Sequence, residues 1–260
     1  MIELIVICAA FLGSVLAGLF GGGAGLIFTP TIYLFLLYLN PHASHLMQTS
    51  ITTMIASLML SGALSIIKHH RYQHIHWQTV KWSAPIIVLG TILGCWVMQM
   101  ISNTWLKSIF AVSTLALALR STLILRAKLA KKTHSSNMFR YGGGLGLGFI
   151  SSLSGSASFM VPYYEAVGLG IKNAIGTTTV VVWLYSLFVL GFMMYLGKGA
   201  TNLAIGSVGF LNYKYLWLFV LPTIPGALLG TKLAHYLPEH QLKWAFTGLL
   251  YVIGVSMFFI

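Results

Sequence analysis

The feature that most constrains this chain is a succession of ten apolar segments, at about 4–20, 26–39, 43–67, 82–101, 104–125, 141–153, 159–170, 173–196, 215–235 and 239–260. A bilayer core takes about 20 helical residues to cross, so runs of this length suit membrane-spanning helices with short connections. Only 7% of the 260 residues are charged and 57% are hydrophobic, whereas a soluble domain carries about 25% charged residues. The expectation is an all-α, polytopic membrane protein forming a single membrane domain over 1–260.

Charge distribution narrows the function classes. The chain has 15 Lys+Arg against 3 Asp+Glu, a net +12. The three acids are Glu3, Glu165 and Glu239. Nucleic-acid binding needs cations clustered on a folded surface. Here they sit between apolar runs, where they report loops held on the cytoplasmic side. The expected partner is the lipid bilayer, with no nucleic acid. Cys8 and Cys95 lie inside apolar segments without CxxC spacing, which argues against a disulfide framework or a thiolate metal site. The start, Met1-Ile2-Glu3, lacks the basic region of a removable signal peptide.

The segments fall into two halves of five, 1–125 and 141–260, around the polar stretch 126–140, expected to be a cytoplasmic linker. In each half a small-residue run interrupts the first two segments: Gly21-Gly22-Gly23-Ala24-Gly25 in one, Ser154-Gly155-Ser156-Ala157-Ser158 in the other. Each run is followed by a proline, Pro30 or Pro162. Next come Gln48-Thr49-Ser50 and Gly176-Thr177-Thr178, each opening a long apolar segment. Farther on, Gly90-x-x-x-Gly94 pairs with Gly226-x-x-x-Gly230, and Leu106-Lys107 with Leu242-Lys243, at a shared offset of 136. An ordered series of this kind indicates a duplicated half. The 68–81 loop holds Lys68, Arg71 and Lys81, while the longer 197–214 loop holds only Lys198 and Lys214. That asymmetry favours a second half inserted the other way up, with an odd number of crossings per half; a parallel repeat with four spans each is the rival.

The run Gly21 to Pro30 resembles the GxGGGxxxxP signature of the TauE/SafE sulfite exporter family of bacterial membrane transporters. Ser151-Ser152-Leu153 to Val161-Pro162, followed by Ala174-Ile175-Gly176-Thr177, is similar to that family's second signature. Leu233-Ala234-His235-Tyr236-Leu237-Pro238 with Leu242-Lys243 is similar to its tail, and Gln48-Thr49-Ser50 stands where the family has Gly-Thr-Ser. The resemblance covers nearly the whole chain and implies an inner-membrane secondary transporter, an exporter of small sulfur-containing anions such as sulfite, sulfonates or related organic anions. The departures, Gln48 for Gly and Ser154, Ser156 and Ala157 for glycines, sit where substrate is expected.

Interrupted helices in corresponding positions of inverted halves point to a transporter's central site, because freed backbone N–H groups and positive helix ends can face an anion. The candidate substrate residues are therefore Gly21, Gly22, Gly23 and Gly25, with Ser154, Gly155, Ser156 and Ser158. To these are added Gln48, Thr49, Ser50, Gly176, Thr177 and Thr178. The alternative for the glycines is close helix approach, and for the hydroxyls helix capping or bonding to their own backbone. Glu165 is the candidate for proton coupling, as an acid within an apolar run; otherwise it reaches the interface or pairs with Lys172. His69, His70, His74 and His76 crowd one loop but match no structural zinc spacing, so a solvated basic loop is expected. No metal site, cofactor or GxxxxGK[ST] nucleotide signature is expected. A transporter or channel for another solute, such as a divalent metal, is one alternative. A membrane hydrolase is another, but the chain offers no GxSxG, HExxH or paired carboxylates.

Overall fold

Helices that are apolar on nearly every face must be buried in lipid or in one another, and the structure follows that requirement. A computed structural model describes residues 2–20, 24–127 and 136–259. Among them run ten α-helices: α1 Ile2–Phe20, α2 Ala24–Leu39, α3 Leu46–Arg71, α4 Trp77–Met98, α5 Asn103–Ala127, α6 Asn137–Ser154, α7 Met160–Ala166, α8 Ile171–Leu196, α9 Leu216–Tyr236 and α10 Glu239–Phe259. The α8–α9 connection carries a short hairpin, β1 Ser207–Val208 with β2 Leu211–Asn212. α3, α4, α5, α8 and α9 are each long and apolar enough to cross a membrane. Gly21, Gly22 and Gly23, and most of the expected linker, lie outside the described residues.

α7 has seven residues, about 10 Å of helix at 1.5 Å per residue, and cannot cross. α6 stops because Gly155 takes a left-handed φ of 58°. Gly155 N–H donates to Ser152 O and Ser156 N–H to Ser151 O, the pattern that closes helix carbonyls around a left-handed glycine. The chain then turns back: Tyr163 Oη donates to Arg140 O at 2.5 Å, and its ring stacks on Phe139. α6 and α7 therefore form a hairpin that enters and leaves at one end of the bundle.

Hydrogen bonds sort the connections to two ends. At one, Ser44 N–H donates to Asn202 O, Ile205 N–H to Asn40 Oδ1, Gln48 Nε2 to Ile101 O, and Asn212 N–H to Thr53 Oγ1. At the other, His76 N–H donates to Thr177 Oγ1, Gly176 packs on the His74 carbonyl, and Lys243 pairs with Glu165. The 68–81 and 197–214 loops thus sit at opposite ends, and α3 and α8 run antiparallel between them. α1 runs beside α9 in the same direction, with Gly226 against Phe11 and Gly230 against Val15, so the α1–α2 pair enters from the end opposite to α6–α7.

Corresponding helices make corresponding contacts. α1 packs on α9 as α6 packs on α4; α3 meets α9 as α8 meets α4; α3 crosses α8, and α5 lies on α10. Particular bonds repeat too. Asn212 N–H donates to Thr53 Oγ1 while its own Oδ1 accepts from Tyr215 N–H; His76 N–H donates to Thr177 Oγ1 while its Nδ1 accepts from Thr79 N–H. The contacts therefore equate Thr53, not Thr49, with Thr177. A Cβ on Gly94 would overlap Ser152 Oγ, and one on Gly226 would overlap Ser14 Oγ. These environments pair Gly94 with Gly226, one helical turn away from the pairing the sequence offered. Spacing patterns at four-residue intervals slide by a turn without changing face; only contacts fix which turn is meant.

Candidate substrate site

The two interrupted regions touch. α2 begins at Ala24, and a Cβ on Gly25 would overlap the Gly155 carbonyl oxygen, so glycine is what lets the backbones meet. Thr29 Oγ1 donates to the same carbonyl at 3.3 Å, and Ile51 of α3 covers Gly155. Within the second break, Ser154 Oγ donates to Ser156 O and Ser156 shares a hydrogen bond with Ser158 at 2.7 Å between their hydroxyl oxygens. These three serines are buried and hold the turn's shape.

Beside the contact lies a cavity of about 660 Å³, its open mouth included, between α3 and α8. Its wall takes in Gly25, Gly155 and Ala157 from the breaks, Ser61 and Ser65 from α3, and Thr179 and Ser186 from α8. Trp183, also in the wall, donates its indole N–H to Met59 O at 3.0 Å where α3 and α8 cross. No charged side chain is among the lining residues. Ala157 N–H, in the non-helical stretch after α6, makes no hydrogen bond among the described residues. It is a donor left over in the wall. Gly25 places the positive end of α2's backbone dipole at the same cavity.

The residues at the helix starts are not part of this wall. Gln48 donates its amide to Met98 O at 3.2 Å and Ile101 O at 3.0 Å, tying α3 to the α4–α5 turn. Ser50 bonds Leu46 O of its own helix. Thr177 accepts from His76 N–H at 3.1 Å, and Gly176 gives room for the His74 carbonyl. Thr49 and Thr178 are buried with hydroxyls that find no partner among the described residues. The self-bonding alternative is thus realised at Ser50, whereas neither α3 nor α8 has a side-chain cap at its start.

Sequence reasoning missed Ser61, Ser65 and Ser186. The signal was there: Thr49, Thr53, Ser57, Ser61, Ser65 and His69 recur every fourth residue and are all buried, a polar stripe along an apolar helix. Part of it serves packing, since Thr223 Oγ1 donates to Ser57 O at 3.3 Å and Thr231 Oγ1 to Ser65 Oγ at 3.4 Å. Lys68, three residues beyond Ser65, was also passed over. Its ammonium donates to Leu228 O at 2.9 Å, beside Ala227 of the cavity wall.

Glu165 stands apart from the cavity, 3.4 Å from Lys243 Nζ. In the first half Lys107 lies over the Tyr33 ring at 5.5 Å, at the position corresponding to Lys243. Of the loop histidines, His69 is buried, His70 packs edge-on against Trp77, and His76 caps α4. Burial, and then the nearby Lys172 charge, hold the His74 pKa below the ordinary histidine value. No group of three or more His, Cys, Asp or Glu placed to hold a metal occurs among the described residues.

Lipid-length helices, two interrupted helix pairs and an uncharged cavity where they meet define a polytopic membrane transporter built on broken helices. The family model for the sulfite exporter TauE/SafE matches residues 6–257, and the chain belongs to that family. It is 28% identical over 262 residues to a "Probable membrane transporter protein" of Haemophilus influenzae, covering 99% of each chain. A protein of the same description from Xylella fastidiosa is 25% identical over 257 residues, covering 94% of this chain and 89% of the relative. No solved structure matches.

Proposed function

We propose that this transporter carries small sulfur-containing anions, such as sulfite, sulfonates or related organic anions, out of the cell by alternating access. The observation that carries the reading is the meeting of the two breaks at one cavity, with the free Ala157 N–H and the start of α2 in its wall. A site built from backbone N–H groups, hydroxyls and a helix end attracts an anion without a buried cation to retain it, which suits binding followed by release. Lys68, bonded to Leu228 O next to Ala227 of the wall, adds a cation near the cavity. The wall offers no carboxylate for a metal ion.

Within this reading the ligand sits against Gly25, Gly155 and Ala157, and Ser61, Ser65, Thr179 and Ser186 complete the shell. Gln48, Thr49, Ser50, Gly176, Thr177 and Thr178 shape the starts of α3 and α8 around it. The halves act as inverted repeats that rock about the Met59–Trp183 crossing. Energy comes from gradients; for Glu165, the ion pair with Lys243 and its parallel in Lys107 over Tyr33 favour a tether over a proton carrier.

The test replaces the Ala157 peptide N–H by an ester oxygen, which removes the donor and keeps the side chain. A hydrogen bond to a charged group contributes about 1.5–3 kcal/mol, so the transported anion should bind roughly ten- to a hundredfold more weakly. Unchanged binding in a folded ester variant would place the anion elsewhere.

A further inference from the structure

A second groove opens on the lipid-facing side of the bundle, at the end that holds the 68–81 loop. Its about 680 Å³, mouth included, lies between α5, α7, α8 and α10. Ile171 and Ile175 of α8 and Pro162 of α7 line it with apolar surface; Arg120 and Lys243 stand at its edges. α5 turns Val112, Leu119 and Leu123 outward, each more than half exposed, so lipid covers that face of the helix. Arg120 is exposed on the same face.

An arginine here needs an explanation. It lies seven residues before the end of α5 at Ala127, about 10 Å along the helix, at a depth where an uncompensated charge is costly. Among the described residues it has no ion-pair partner, and the nearest acid in the groove, Glu165, is already engaged by Lys243. Ser121 and Thr247 share a hydrogen bond of 2.6 Å, which pins α5 to α10 and keeps Arg120 and Lys243 on one groove. The position related to Arg120 by the offset of the Lys107–Lys243 pair is Ser256, so the duplicated half lacks this cation.

We propose that the groove holds an anionic phospholipid, with the headgroup phosphate on Arg120 and an acyl chain laid against Ile124, Pro162 and Ile175. The planar guanidinium donates two parallel hydrogen bonds to a phosphate, while across the groove Lys243 is held in its pair with Glu165 and leaves Arg120 the net positive charge. Basic pockets between membrane helices bind anionic headgroups in this way. The apolar walls commit the site to a lipid over free phosphate. A lipid seated there bridges α10 to α7 and braces the α6–α7 hairpin.

The experiment uses the full chain in phosphatidylcholine vesicles with and without phosphatidylglycerol, reading the thermal unfolding midpoint and the lipid retained after extraction and purification. The parent should show a saturable rise in midpoint with phosphatidylglycerol and should retain it selectively. Arg120→Gln should lose both effects, Arg120→Lys should keep part of them, and Arg126→Gln, at the helix end, should behave as the parent. Ile124→Trp fills the groove while leaving Arg120 in place and should also lose retention, which covers the case of an unstable Arg120→Gln. Soluble glycerol phosphate should not compete. Equal stabilisation and retention in Arg120→Gln, no preference for phosphatidylglycerol in the parent, or full competition by glycerol phosphate would each overturn the proposal.

Discussion

Glu165 shows how a single residue changes meaning once its neighbours are known. In the sequence it is an acid inside an apolar run, the usual mark of a proton path. In the fold it sits 3.4 Å from Lys243, and the first half holds the corresponding Lys107 over an aromatic ring, Tyr33. Two chemically different partners for one lysine position argue that holding the start of α5 or α10 is the shared task. Replacing Glu165 with Gln should therefore leave the pH-gradient dependence of flux unchanged while lowering stability by about 1 kcal/mol or less, the range of a partly exposed pair. Loss of gradient dependence in a folded Glu165→Gln protein would restore it as a proton carrier. Lys243 as a partner was illegible in the sequence because it lies 78 positions away. The same applies to Thr177, whose acceptor role depends on His76 N–H arriving from another loop.

Elements were more legible than residues. Apolar run length and the small-residue interruptions locate the ten helices and the breaks at Gly25 and Gly155, since backbone that must touch backbone requires the absence of a Cβ. What the sequence left open was whether the first two segments of each half cross or fold back. For the second half the answer came from α7, whose seven residues are too few to cross, and from the bond between Tyr163 and Arg140. Glycine spacing also misled by a turn, pairing Gly90 with Gly226 where contacts pair Gly94. At this scale the contact between breaks is the vulnerable joint. Gly25→Ala drives a methyl into the Gly155 carbonyl, and the backbones must separate to admit it. Flux should fall at least tenfold in protein that still elutes as the parent does on size exclusion. Parent-like flux would mean that the breaks need not touch for transport.

For the molecule as a whole, charge and packing agree on an orientation. The end that holds the 68–81 loop carries Lys68, Arg71, Lys81, Arg126, Arg140, Lys172, Lys232 and Lys243, and the other carries Lys107, Lys198 and Lys214. Lys and Arg concentrate on the cytoplasmic side, so single cysteines in 68–81 and 197–214 should label from opposite faces of the membrane. Labelling of both from one face would contradict halves of opposite orientation. The central claim is that such a molecule moves a small anion through a cavity shared by both halves, and flux tests it most directly. Purified protein in proteoliposomes should carry at least one labelled member of a panel of sulfite, sulfate, thiosulfate and sulfonates, saturably and down an imposed gradient, and should not carry divalent metal ions. Movement of a divalent metal with no movement of any anion in the panel would contradict the account.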